Sequence, residues 1–217
     1  PLEQVILQRV AELQPDLLLK SSHQHHNLKQ RLLGNSSWQL LRHCPVPLWL
    51  VQHGEWQCRQ LCAALDPLHA DDKPAALDQQ LIATAQLLSD TLGIQPHYLH
   101  SYAPVPQSLL FDSALVEDYA HYRQLCATQH REAFEQLLAN AGVPRNQAQL
   151  REGFAEEESG RFVREEQIDL LLMGAIARGH LANALLGNTA ERVLESVECD
   201  VLILKAPPAT ADPAPGK

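Results

Sequence analysis

The sequence has no long apolar run, no excess of positive charge and no paired-cysteine motif, and each absence removes a class of function. Its longest apolar stretch, residues 170–177, is eight residues long and contains a glycine, against the roughly 20 apolar residues that cross a bilayer. No membrane span is expected. Lys and Arg number 17 against 26 Asp and Glu, a formal charge of −9, and no basic cluster stands out to neutralise a phosphate backbone. Direct nucleic-acid contact is therefore disfavoured. The five cysteines (Cys44, Cys58, Cys62, Cys126 and Cys199) are odd in number and form no C-x-x-C. That pattern fits the reduced thiols of a cytoplasmic protein better than a disulfide framework. No basic, hydrophobic leader opens the chain. It begins at Pro1 and its one Met is Met173, so residues are expected to lie upstream.

The chain does hold 217 residues, 45% hydrophobic and 20% charged, which is enough to bury a sizeable core. At roughly 100–200 residues per domain it is about one and a half domains long. A repeat explains that misfit. Shifted by 153 residues, 10–52 falls on 163–205 without a gap, and 13 of the 43 positions are identical. The matches include Asp16 to Leu19 on Asp169 to Leu172, and Leu32 to Asn35 on Leu185 to Asn188. The period is that of a small α/β domain, far above that of a solenoid repeat.

Each copy reads the same way. A helix end (10–14, 163–167) runs into an apolar strand (16–20, 169–173), a Gly-Asn loop opens a helix near Asn35 or Asn188, and a second apolar strand follows (48–51, 201–204). Strands without polar alternation are buried on both faces, the mark of a parallel sheet covered by helices. Ahead of the second copy, strands are expected over 58–66, 97–102 and 148–152, with helices over 74–92, 116–141 and 155–167. Gly142 and Pro144 supply a helix stop after 141. Residues 55–206 thus read as a complete α/β domain, a doubly wound parallel five-stranded sheet of order 3-2-1-4-5 with helices on both faces. Residues 1–53 read as a partial second copy of the same fold, holding only its last two strands, and 207–217 as a disordered, Pro-rich tail. The partial copy lacks a first strand to flank. About a hundred upstream residues, a second chain, or the intact domain is expected to cover its edge.

A strand ending on Asp66, followed by GAIARGHLANALLGNTAERVL (174–194) leading into CDVLILK (199–205), resembles the universal stress protein family. With HQHHNLKQRLLGNSSWQLLRHCPVPLWLV (23–51) ahead of it, the chain looks like the tandem, E-type members, which carry two such domains. The resemblance implies a cytosolic stress-response protein, often dimeric or paired domain on domain, in which some members bind ATP. Those members carry G-x2-G-x9-G-[S/T] after the fourth strand. Here the loop reads Gly174-x2-Ala177-x9-Gly187-Asn188, with Thr189 next. Glycines let the backbone approach phosphates, and a helix N-terminus offers N–H groups and dipole to an anion. The resemblance also places Asp66 near the adenine. In the first copy Ser21 and Gln24 stand at the early Gly positions and only Gly34 remains, so no nucleotide is assigned there. The competing account of Gly187-Asn188 is a tight turn and N-cap, with Glu191 completing a capping box.

Other candidates are weaker. His23, His25 and His26 cluster in one loop and are candidate zinc ligands, set against a solvated polar loop, because zinc wants four ligands. Cys58 and Cys62 share a strand face, most simply as buried small side chains. The apolar loop 103–115 covers either a ligand or the sheet edge. The Glu156-Glu157-Glu158 run is read as a solvated first turn favoured by the helix dipole. No G-x-S-x-G elbow and no H-E-x-x-H is present. The expected function is a noncatalytic stress-response module binding ATP or another adenine nucleotide. The alternatives are a binding protein for an apolar or amphipathic metabolite and a weak ATPase.

Overall fold

The computed structural model describes residues 1–21, 34–52, 59–68, 76–105, 118–175 and 187–205. The elements run α1 (Leu2–Leu13), β1 (Leu18–Ser21), α2 (Asn35–His43), β2 (Leu48–Val51), β3 (Gln60–Ala64), α3 (Ala76–Leu92), β4 (Gln95–Tyr102), α4 (Tyr119–Asn140), β5 (Ala148–Glu152), α5 (Ala155–Glu165), β6 (Leu170–Ala175), α6 (Asn188–Ser196) and β7 (Asp200–Lys205). The helix stop falls where the residues require it. Gly142 takes φ 69° and the Val143 N–H reaches back to the Leu138 carbonyl at 3.0 Å, a closure open to a residue without a Cβ.

The strands lie in one sheet in the order β1-β2-β7-β6-β3-β4-β5. Every neighbouring pair is parallel except β2 and β7, which are antiparallel. The sheet is seven-stranded and mixed where five parallel strands were expected: the order 3-2-1-4-5 stands within it as β5-β4-β3-β6-β7, all parallel, and β1 and β2 extend it beyond β7. The reason is the free edge of β7, whose row of N–H and C=O groups would otherwise stay unpaired. Side chains of the central strands alternate between two cores. Leu170 and Leu172 pack with α3 and α4, whereas Leu171 and Met173 pack with α2, α5 and α6. Both faces of β6 are thus dry, which explains its unbroken apolar run.

The 153-residue shift is visible in the coordinates. It carries Asn35–His43 onto Asn188–Ser196 end to end. Among the described residues, the two non-glycine positions with positive φ are Gln14 (45°) and Gln167 (52°), also 153 apart. In the β2–β7 ladder, Leu48 pairs with Ile203, Trp49 with Leu202, and Leu50 with Val201. Trp49 and Leu202 are themselves related by the shift, so a local two-fold passes between them.

Polar groups lock this junction. Buried Asp200 accepts from the Trp49 indole Nε1–H at 3.0 Å and from the Gln52 N–H at 2.8 Å. Lys205 donates to the carbonyls of Arg42 and Cys44 at the end of α2, where a cation suits the helix dipole. Arg42 in turn pairs with Glu191 at 3.1 Å. Asp200→Ala leaves a buried indole donor without its acceptor and should cost about 2–4 kcal/mol in urea denaturation. The double variant Trp49→Phe, Asp200→Ala should lose less than the sum of the single losses, because the orphaned donor is gone as well.

Candidate functional site

In the sheet, β3 and β6 are neighbours, yet the chain leaves β3 toward β4 on one side and β6 toward β7 on the other. At such a switch point the loops part and a crevice opens beyond the carboxyl ends of the strands. A cavity of about 180 Å³ lies there. Asp66 enters from the end of β3, Gly174 from β6, and Gly187 and Thr189 from the start of α6. Four of the residues singled out from sequence therefore meet in one place. Asn188 is the first residue of α6 beside them. Ala177 lies outside the described residues, as do His23, His25 and His26. Among the described residues no group of three or more His, Cys, Asp or Glu is placed to hold a metal.

Most of the remaining wall is apolar: Leu65, Leu77, Leu81, Leu99, Met173 and Val193. The polar exceptions are Asp78 from α3, Ser101 from β4 and Ser159 from α5. Asp78 is 4% exposed, and both of its carboxylate oxygens accept the Asp66 N–H at 3.1 Å. Asp78 and Ser159 were missed in the sequence. An acid in a first helical turn reads as dipole complement, and no spacing rule links it to a strand twelve residues upstream.

The start of α6 departs from the expected capping box. Gly187, not Asn188, occupies the N-cap, in ordinary extended backbone (φ −65°, ψ 142°). The Glu191 side chain is turned to Arg42, so its reach toward α2 outcompetes the expected capping box. A glycine N-cap brings no side-chain acceptor of its own to the first N–H groups of α6, an arrangement that suits an anion. Gly174 has another reason to be glycine. A Cβ there would stand 2.5 Å from Leu77 Cδ2, so the residue admits the first turn of α3 onto β6.

Lys20 and Ser37 are the 153-residue counterparts of Met173 and Ala190, which line the cavity. The Lys20 ammonium donates to Ser37 Oγ at 2.9 Å and to the Ser21 carbonyl at 3.1 Å. Burial lowers its pKa from the ordinary lysine value.

Two further expectations are revised or confined. Glu158 is not solvated but 4% exposed, held by Arg161 at 2.6 Å, because α5 lays this side of its first turn on the sheet. Cys62 is fully buried, and burial raises its pKa above the ordinary thiol value. Cys58 and the residues beyond 105 in the 103–115 loop lie outside the described residues.

The fold and its crevice define a doubly wound α/β protein with a cavity at the switch point. The chain belongs to the universal stress protein family, whose model matches residues 1–52 and 68–205. It is 28% identical over 205 residues to universal stress protein E of Escherichia coli (strain K12), covering 93% of this chain and 64% of that protein. It is 29% identical over 193 residues to the universal stress protein E homolog of Haemophilus influenzae, covering 88% and 62%. The chain thus spans less than two thirds of the length of these relatives. Among solved structures, a functionally unknown protein of Pseudomonas aeruginosa PAO1 superposes with a TM-score of 0.78 at 25% identity, over 94% of this chain and 68% of that one. A universal stress protein of Archaeoglobus fulgidus shares the fold at 16% identity and a TM-score of 0.62, over 94% and 66%. No helix among the described residues is long and apolar enough to cross a membrane.

The packing account of Gly174 is testable. Gly174→Ala should destabilise by about 1–3 kcal/mol through overpacking. Leu77→Ala in the same chain should recover part of that loss, a coupling read directly from denaturation of the single and double variants.

Proposed function

We propose that this chain is a noncatalytic, cytosolic stress-response module that holds an adenine nucleotide in the crevice between β3 and β6. The observation that carries the reading is the convergence of Asp66, Gly174, Gly187 and Thr189 on one cavity. Asp66 would accept from the base, and the first N–H groups of α6 would meet the phosphates. The cavity of about 180 Å³ is below the roughly 300–1,000 Å³ of pockets enclosing drug-sized ligands. It therefore suits the base and sugar, with the phosphates toward α6. Asp78 is committed to a backbone amide, which favours binding over hydrolysis.

We also read residues 1–53 as the C-terminal part of a sibling domain, on the strength of the 153-residue correspondence and the local two-fold at Trp49 and Leu202. The two units then associate through the β2–β7 ladder within one chain.

ATP at about a hundred times its Kd should stabilise the protein by about 2.7 kcal/mol, a rise of roughly 5–10 °C in melting temperature for a chain of this size. Gly187→Val should abolish the rise by placing a branched side chain at the mouth. A wild-type melting curve unmoved by millimolar ATP sinks the nucleotide reading.

The apolar wall supports a second occupant, an apolar or amphipathic metabolite seated against Leu77, Leu81, Leu99 and Met173. This reading requires co-purified material in native mass spectra, displaced when Leu81 is changed to Asp. Ligand-free masses from repeated preparations would count against it.

A further inference from the structure

The Leu65–Asp66 peptide, which turns the chain out of β3 and into the cavity wall, is gripped at both ends by buried ionisable side chains. On one side the Asp66 N–H donates to Asp78. On the other, the Leu65 carbonyl lies 3.0 Å from His100 Nδ1, and His100 is 1% exposed. A carbonyl only accepts, so His100 carries its proton on Nδ1. Its Nε2 is then an acceptor in the neutral ring, 2.8 Å from His130 Nδ1, which must be the donor. One backbone carbonyl thus sets the tautomer of two rings, and both are Nδ1–H, the form that free histidine favours less.

His100 is enclosed and His130 half-buried. His130 stacks on Tyr102 with centroids 4.7 Å apart, and His100 packs against Phe134 at 5.6 Å. Among the described residues, the charge that acts on both rings is Asp66 from the β3 end. Arg131, Cys126 and Arg123 of α4 flank Tyr102, and Arg123 is paired with Glu152 of β5. The proton arithmetic follows from the two hydrogen bonds. A first proton on His130 Nε2 leaves both bonds intact. A second would set N–H against N–H and break the link between the rings.

We propose that His100 is a positioning residue for the crevice, that His130 locks its tautomer, and that the second proton on the pair, which charges His100 and breaks its link to His130, draws the Asp66 carboxylate toward the ring and away from an uncharged ligand. The ligand arm rests on the nucleotide reading; the peptide arm does not. Burial holds both imidazoles below their ordinary pKa, about 6.5. Below that pH the unfolded chain binds more protons than the folded one, so this contribution to stability is lost as pH falls from about 6.5 toward the folded values.

The experiment is a pH series from 8 to 5 on the ligand-free protein. It records histidine ring nitrogens and the Leu65 and Asp66 amides by NMR, in wild type and in His100→Asn, whose amide can still donate to Leu65 but does not titrate. We expect Nδ1–H rings at 100 and 130 near pH 7.5, amide shifts at 65 and 66 that titrate with His100, and loss of that titration in His100→Asn. Nε2–H rings, or amide shifts that titrate unchanged in His100→Asn, overturn the proposal. Adenosine, whose phosphate-free charge is constant over this range, then reports affinity by calorimetry. Its Kd should rise about fivefold or more between pH 7.5 and 5.5 in wild type, the lower end of usual coupling between sites, and stay level in His100→Asn. Equal pH dependence in the two proteins overturns the coupling to ligand. If neither adenosine nor ATP binds at any pH, the nucleotide reading fails, and the ring and amide titrations alone decide the positioning role.

Discussion

The structure depends on one adjacency, that of β3 and β6. Their three-residue parallel ladder, Leu61 on Leu170 to Ala63 on Leu172, joins two halves whose connections diverge. The divergence opens the crevice, since the two connections turn away from the gap on opposite sides. It also decides which side chains can meet. Asp66 follows β3 and Gly174 ends β6, while α3 and α6 begin on opposite faces of the same gap. Asp169 fastens the start of this pair, accepting from the Arg59 and Gln60 amides at 2.8 and 3.1 Å. The ladder is thus anchored at the end away from the cavity, and its carboxyl end opens on the crevice.

The second organising contact is the antiparallel seam between β2 and β7. A parallel domain of this kind ends on an exposed strand, and an exposed strand invites a partner. Here the partner is β2, the strand related to β7 by the 153-residue shift and met about a local two-fold, so each strand satisfies the other. The polar fittings around the seam are not symmetric. Asp200 binds Trp49 and Gln52, and Lys205 binds the end of α2, while the counterparts of Asp200 and Lys205 are Pro47 and Gln52.

The crevice itself mixes conserved-looking chemistry with local solutions. Gly174 has the residue type that a phosphate loop uses, yet its immediate requirement is room for Leu77. The N-cap of α6 is Gly187, which has no side chain to cap its first turn, and Glu191 is engaged by Arg42 in a contact that crosses the seam. The buried Asp78 and His100, from α3 and β4, hold the peptide that carries Asp66, so the candidate ligand residue is placed by two groups that do not line up with it in sequence.

Much of the fold was legible because its causes are local. Unbroken apolar runs marked β6 and β7 as strands buried on both faces, helical spacing marked α3, and the Gly142–Pro144 stop marked the end of α4. The 153-residue repeat predicted the match of α2 and α6 before either was seen. Local reading failed where a distant group outbid a near one: Glu191 left the cap for Arg42, Glu158 left solvent for Arg161, and the five-stranded sheet gained two strands from a free edge. It had no access to Asp78 or to the His100–His130 pair, because nothing in their spacing encodes a contact across α3, β4 and α4. Sequence by itself determined which segments are strands and helices and that two of them repeat, since those follow from short-range periodicity and turn chemistry. Only the tertiary structure decided which ends meet, because the order of strands in a sheet is set by burial and edge pairing summed over the whole chain.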